Sequence, residues 1–197
     1  MKALLQKYIH SRFFIVSIAA LMILIVFRPL LSGMQVFLEQ DVLLYMYPAY
    51  EFLSTHLQSG QGIPLWYPYI LSGFPAYLSQ TFFFSPAILL TFRIFNAITG
   101  YHVFIMVHMF FTVLGTYWFA RLLRLSKSAA LFTALTYTFC QWVINFSPII
   151  SFSSVYPALP FLCVCAYKIA MGRYRYVVGV SGAVAYIWLT SYTELAL

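Results

Sequence analysis

The chain has 197 residues, of which 63% are hydrophobic and only 8% charged, and its mean hydropathy is +0.88. A soluble domain is about half apolar and a quarter charged, so this composition argues against a water-soluble globule and makes lipid the solvent for much of the surface. The formal charge of +7 does not indicate a nucleic-acid binder, because the basic residues sit in small groups beside apolar runs and not on a polar, aromatic face.

The first apolar run, Phe13 to Leu31, follows a basic start with Lys2, Lys7 and Arg12. It is longer than the apolar core of a signal peptide, and the exit Ser32-Gly33-Met34-Gln35 offers no small-x-small cleavage site. The expectation is an uncleaved membrane helix with its amino terminus inside. From residue 32 the texture changes. Three of the four acids, Glu39, Asp41 and Glu51, fall before Gln80, together with Pro48, Pro64, Pro68, Pro75, Gly60, Gly62 and Gly73. This reads as a long extramembrane loop, in which residues 43–58 form an interfacial amphipathic helix with Pro48 near its first turn.

The segment 81–98 is apolar but carries Pro86, Arg93 and Asn96. Clearer spans follow at 101–120, 129–147, 154–171 and 177–195. Charge decides how the ambiguous segment is placed. If 81–98 lies at the outer surface or re-enters it, nine of the eleven basic residues fall inside, and only Arg28 and Arg93 fall outside. If it spans, Arg121, Arg124, Lys127, Lys168, Arg173 and Arg175 all flip outward, against the rule that short inner loops are basic. The expected fold is therefore all-α: one polytopic membrane domain over 1–197, with five transmembrane helices, an external loop at 32–100 and a cytoplasmic amino terminus. Because the sequence stops at Leu197 within an apolar stretch, a fragment of a longer protein is also expected.

In a chain this poor in charge, each acid is a candidate for chemistry. Asp41, just after the first span, can act as a general base on an acceptor hydroxyl or help hold a divalent cation against a phosphate. It also directly precedes the loop helix and suits an N-cap. Glu39 and Glu51 fit a solvated helix face or loop as readily as a site. Glu194, near a helix end in an apolar segment, is costly to place and so is a candidate. Arg93 suits a lipid phosphate or a diphosphate leaving group, with snorkelling to headgroups as the alternative. His102 and His108 are six apart on one helix and do not share a face, and Cys140, Cys163 and Cys165 lack metal spacing. No phosphate loop, nucleophile elbow or HExxH motif is present.

The run Asp41-Val42-Leu43-Leu44-Tyr45-Met46-Tyr47-Pro48, then Gln58-Ser59-Gly60, then Ile63-Pro64-Leu65-Trp66-Tyr67-Pro68-Tyr69 and Ser72-Gly73-Phe74-Pro75 resembles the first external loop of the bacterial YfhO-like membrane proteins. Ala120-Arg121-Leu122-Leu123-Arg124-Leu125-Ser126 followed by Ala129-Ala130-Leu131 is similar to that family's turn between the second and third spans. The resemblance covers the chain but only the amino-terminal part of a family member. It implies a fold and activity of the GT-C glycosyltransferase class, which uses a polyprenyl-phosphate-linked sugar donor at the outer face of the cytoplasmic membrane. On that resemblance Asp41 is the catalytic residue, and 81–98 is a juxtamembrane helix. Donor or acceptor contacts fall to Arg93, Glu51, Glu194, Tyr47 and Trp66, and the acceptor is an envelope polymer or lipid. A divalent cation is a candidate cofactor. Two departures stand out: Tyr67 occupies a position where the family has Asn, and Ser191-Tyr192-Thr193-Glu194 replaces a Gly-His-Pro-Glu/Gln pattern. The competing readings are a transporter or lipid flippase and a non-catalytic assembly partner.

Overall fold

The computed structural model describes residues 12–31, 36–37, 39–69, 72–76 and 85–190. Lys2, Lys7, residues 81–84 and the Ser191–Glu194 segment lie outside them. The described chain is overwhelmingly helical, with a single two-residue strand pairing.

Two helices carry the bundle. α5 (Ala97–Leu122) has 26 residues and α8 (Ile150–Ala170) has 21, and both are long and apolar enough to cross a membrane. Local chemistry sets the ends of α5. The Asn96 side chain accepts from the Thr99 N–H at 2.9 Å, satisfying an amide that the first turn leaves orphaned. At the other end Arg124 takes φ 65°, and the Leu125 N–H reaches back to the Ala120 carbonyl at 3.3 Å, the bonding of a left-handed helix stop without its usual glycine.

Two of the other expected spans are each divided into shorter helices. The first run is divided into α1 (Arg12–Val26) and α2 (Arg28–Leu31) around Phe27. Pro29 has no N–H for the Ile25 carbonyl, which weakens the ladder at that point. The expected span 129–147 is also two helices, α6 (Lys127–Thr138) and α7 (Gln141–Phe146), because Cys140 is extended with ψ 153°. By contrast α8 continues through Pro157 and Pro160. α9 covers Val177–Thr190.

Packing fixes the directions. Ile15, Ala19 and Ile23 of α1, with Phe27 just beyond it, recur every four residues and are buried. Ala19 meets Val113 of α5 and Ala134 of α6. α5 and α8 run parallel: His108 shares a cavity with Pro157, while Thr116 and Phe119 lie with Pro160 and Cys163. α9 returns antiparallel to α8, and at Gly179 a Cβ would come within 2.7 Å of the Cys165 sulfur. Arg121, Arg124 and Lys127 therefore share one end of the bundle with Lys168, Arg173 and Arg175. The loop residues pack at the opposite end.

The loop itself is built on α5. A π-helical turn (Val42–Met46) leads into α3 (Tyr47–Gln58), with Pro48 in the first turn of α3. The Tyr47 N–H bonds the Val42 carbonyl five residues back, a wide register that accommodates a proline missing its own amide. β1 (Trp66–Tyr67) pairs antiparallel with β2 (Phe74–Pro75). α4 (Pro86–Ile94) then joins α5 through Phe95 and Asn96.

Candidate functional site

The site grows from the end of α5 that meets the loop. The Tyr47 hydroxyl lies 3.1 Å from Nε2 of His102 and accepts from the Phe37 N–H at 3.4 Å. The backbone of Leu30 bonds the same imidazole. Burial raises the Tyr47 hydroxyl above its ordinary value of 10.0, opposed by the bond from Phe37. The phenol therefore stays protonated and donates to His102. Around this chain the aromatic rings close ranks: Tyr47 lies 4.9 Å from Tyr101, and Tyr50 stacks on Phe92 at 4.4 Å. The Tyr101 hydroxyl donates to the Pro148 carbonyl, which brings the start of α8 to the same end. Four chain segments distant in sequence thus share one aromatic and polar knot.

Asp41 stands at the entry to the π-helical turn that leads to Tyr47. It is exposed and makes no side-chain cap, so the N-cap role considered from sequence is not realised. Glu39 is its electrostatic neighbour. Partial burial and then the Asp41 charge raise the Glu39 carboxyl above its ordinary value of 4.5. Among the described residues no three of His, Cys, Asp and Glu come together to hold a metal.

The other residues singled out from sequence are spread over the loop end. Glu51 is exposed on α3, and only its carbonyl is engaged, by Ser54 Oγ at 3.0 Å. Tyr47 is half-buried with its hydroxyl turned into the knot. Trp66 is half-exposed on β1, with its indole against Gly73. Arg93 is exposed on α4, flanked by Leu90 and Ile94, each more than 60% exposed. Among the described residues, no hydrogen bond or ion pair joins any two of Asp41, Glu51, Arg93 and Trp66. Glu194 lies outside the described residues.

Tyr67 is 2% exposed and sits against Phe52 and Tyr69. Burial, then Tyr69, raises its hydroxyl above 10.0.

α4 reaches deeper than a surface helix. Phe92 contacts Gly100, near the start of α5, whereas Ala87, five residues earlier, shares a cavity with Val107, His108 and Phe111. It therefore descends antiparallel to α5, roughly 15 Å below the loop end at 1.5 Å per residue. Gln58 ties its upper end to α3, donating to the Phe92 and Phe95 carbonyls at 3.1 and 2.9 Å. The cavity, about 350 Å³, is completed by Pro157, Ala158 and Phe161 of α8 and Ala183 and Tyr186 of α9. Its polar feature is the pair formed by His108 Nε2 and the Tyr186 hydroxyl, with Nδ1 facing the Phe104 carbonyl. His102 and His108 are thus both hydrogen-bonded within the protein.

The residues that organise the site without having been singled out from sequence are Tyr50, Tyr101, Gln58 and Tyr186. Their partners lie far along the chain, and only the richness in tyrosine hinted at them. No family model, curated protein or solved structure matches the chain.

Proposed function

We propose that the chain is the amino-terminal part of a polytopic membrane glycosyltransferase of the GT-C type, resembling the YfhO-like proteins. In this reading it transfers a sugar from a polyprenyl-phosphate donor to an envelope acceptor at the outer face of the cytoplasmic membrane. The membrane placement is supported by helices whose outward faces are as apolar as their packed ones. Leu21, Leu24 and Ile25 on α1, Phe132 on α6, and Val178, Trp188 and Leu189 on α9 are all exposed, a pattern that is costly in water and suited to acyl chains. The orientation is supported by the six basic residues gathered at one end of the bundle, opposite Glu39, Asp41 and Glu51.

The observation that carries the catalytic reading is Asp41. It is an exposed carboxylate ten residues after the end of α2 and six before Tyr47, whose hydroxyl bonds His102 of α5. The carboxylate accepts the proton of an acceptor hydroxyl as the oxygen forms its bond to the anomeric carbon. The bond from that carbon to the lipid phosphate breaks, and the phosphate leaves with the electron pair. Arg93, a cation in an apolar exposed strip, suits the phosphate that departs. Glu51, Trp66 and Tyr47 supply the surrounding surface, with Tyr47 acting through His102.

The test is transfer of labelled sugar from polyprenyl-phosphate donors to membrane acceptors by the full protein and its Asp41→Asn variant. The expected loss is at least a hundredfold with the protein still in the membrane. Undiminished transfer would remove Asp41 from catalysis. Movement of donor across liposomes without any transfer product would favour a flippase, and neither activity without a partner protein would favour an assembly role.

A further inference from the structure

Between Glu51 and Arg93 the sequence holds no Asp, Glu, Lys or Arg, and this stretch includes the whole β1–β2 pair of the external loop. A soluble domain is about a quarter charged, and its large side chains are mostly turned inward. Here they are not. Leu65 is 67% exposed, Trp66 54% and Tyr69 71%, with Ile63 also open. Their exposed neighbours Gln61 and Ser72 are polar but neutral. The packing of the pair holds this face outward. Tyr67, next to Trp66, is buried edge-on against Phe52 of α3 and Tyr69. The Leu65 carbonyl accepts from the N–H of fully buried Ala76 at 2.8 Å.

Gln58 sets the height at which the pair leaves the bundle. It donates to the Phe92 and Phe95 carbonyls, beside the Asn96 cap that starts α5. With 26 residues, α5 is about 39 Å long at 1.5 Å per residue. That exceeds the ~30 Å hydrocarbon core, so its ends reach the headgroup regions. Gly60 and Gly62, with φ 78° and 83°, turn the chain out of α3 at that height, and Ile63 to Tyr69 follow directly.

We infer that the face formed by Ile63, Leu65, Trp66 and Tyr69 is an outer-leaflet anchor, immersed at the boundary between phospholipid headgroups and acyl chains. Trp and Tyr favour that boundary, where the ring is in apolar surroundings and the N–H or O–H stays wet. Ile63 and Leu65 supply apolar surface that enters the chains, and the lack of charge lets the segment sink without dragging an ion after it. Through the contact of Tyr67 with Phe52, the anchor fixes α3 at headgroup depth. This placement rests on the reading that α5 and α8 lie in the bilayer, and it is independent of the transfer reaction.

Lipid-borne and water-borne quenchers test the anchor. The full protein, carrying Cys140→Ser, Cys163→Ser and Cys165→Ser, receives one new cysteine, Leu65→Cys or Glu51→Cys, labelled with bimane in phosphatidylcholine–phosphatidylglycerol liposomes. Both positions are exposed on the protein, so only what covers them from outside tells them apart. Nitroxides near the top of the acyl chains are expected to quench the Leu65 label at least about threefold more than the Glu51 label, and iodide on both faces to show the reverse order. Iodide quenching Leu65 as strongly as Glu51 would put the pair in water and overturn the anchor. Neither quencher reaching Leu65 would mean that protein covers it, which overturns the anchor equally. A second measurement keeps the native side chains of the loop. Trp118→Phe, Trp142→Phe and Trp188→Phe together leave Trp66 as the sole tryptophan, and its emission should fall in liposomes of brominated phospholipid. Unchanged emission would also overturn the anchor. Alkaline carbonate extraction separates the two readings. Release would refute the membrane placement itself, whereas retention with an iodide-quenched Leu65 label would refute only the anchor.

Discussion

The Tyr47 hydroxyl and His102 Nε2, 3.1 Å apart, join residues 55 positions distant in sequence and seat the loop on α5. Tyr47→Phe keeps the ring contacts with Tyr101 but leaves the imidazole nitrogen and the Phe37 amide without this partner. The expected cost is about 1–2 kcal/mol of stability, measured as a lower midpoint of thermal unfolding in detergent. An unchanged midpoint would show that the bond does not hold the loop. His102→Ala should cost at least as much, and the double variant should cost less than the sum of the two.

Gln58 bonds two carbonyls at the end of α4. Gln58→Ala should release that end, at about 1–2 kcal/mol. Hydrogen exchange should speed up at the amides of α4 and spare the centre of α8. Equal acceleration in both helices would mean that the substitution loosens the whole bundle, contrary to a local clamp.

Gly73 has φ 94°, and a Cβ there would lie 2.6 Å from the Trp66 indole nitrogen. Gly73→Ala therefore meets both backbone strain and an overlap, with an expected cost of about 1–3 kcal/mol. The readout is faster proteolytic cleavage between residues 60 and 76, with α5 and α8 still protected. A cleavage rate equal to that of the parent protein would argue against the tight indole contact.

Glu39 contributes a pH dependence to the loop. Its folded-state carboxyl is raised above the ordinary value of 4.5 by partial burial and by Asp41, so the native state binds the proton more tightly than the unfolded chain. Stability from this group is fully present below pH 4.5 and falls as pH rises through the raised value. Glu39→Gln should therefore raise stability at neutral pH and have little effect at pH 4. Melting curves at the two pH values test this. A stabilisation larger at pH 4 than at pH 7 would reverse the sign.

Much of the framework was written in local chemistry. α5 and α8 announce themselves as uninterrupted apolar runs, Asn96 marks the start of α5, and Pro48 falls in the first turn of α3 where a proline is tolerated. The divisions of the other runs were harder to read. Pro29 was visible, yet Pro157 and Pro160 do not break α8, so a proline alone does not say whether packing will carry a helix through. The interruption at Cys140 has no proline or glycine to signal it. The site was legible one residue at a time and not as an arrangement. Asp41 stood out because acids are rare, whereas Tyr47 looked like a surface contact until its hydroxyl was seen bonded to a residue on another helix. The descent of α4 was equally hidden, because an apolar segment containing an arginine reads the same whether it lies flat or dips.

That descent couples two parts of the molecule. α4 is held at its top by Gln58 and contributes Ala87 to the wall of the 350 Å³ cavity at its foot. Ile88 and Phe92, between those two points, are fully buried. A nine-residue helix thus links the loop helix that begins at Tyr47 to a wall of the chamber, as a strut fixed at both ends and along its inner face.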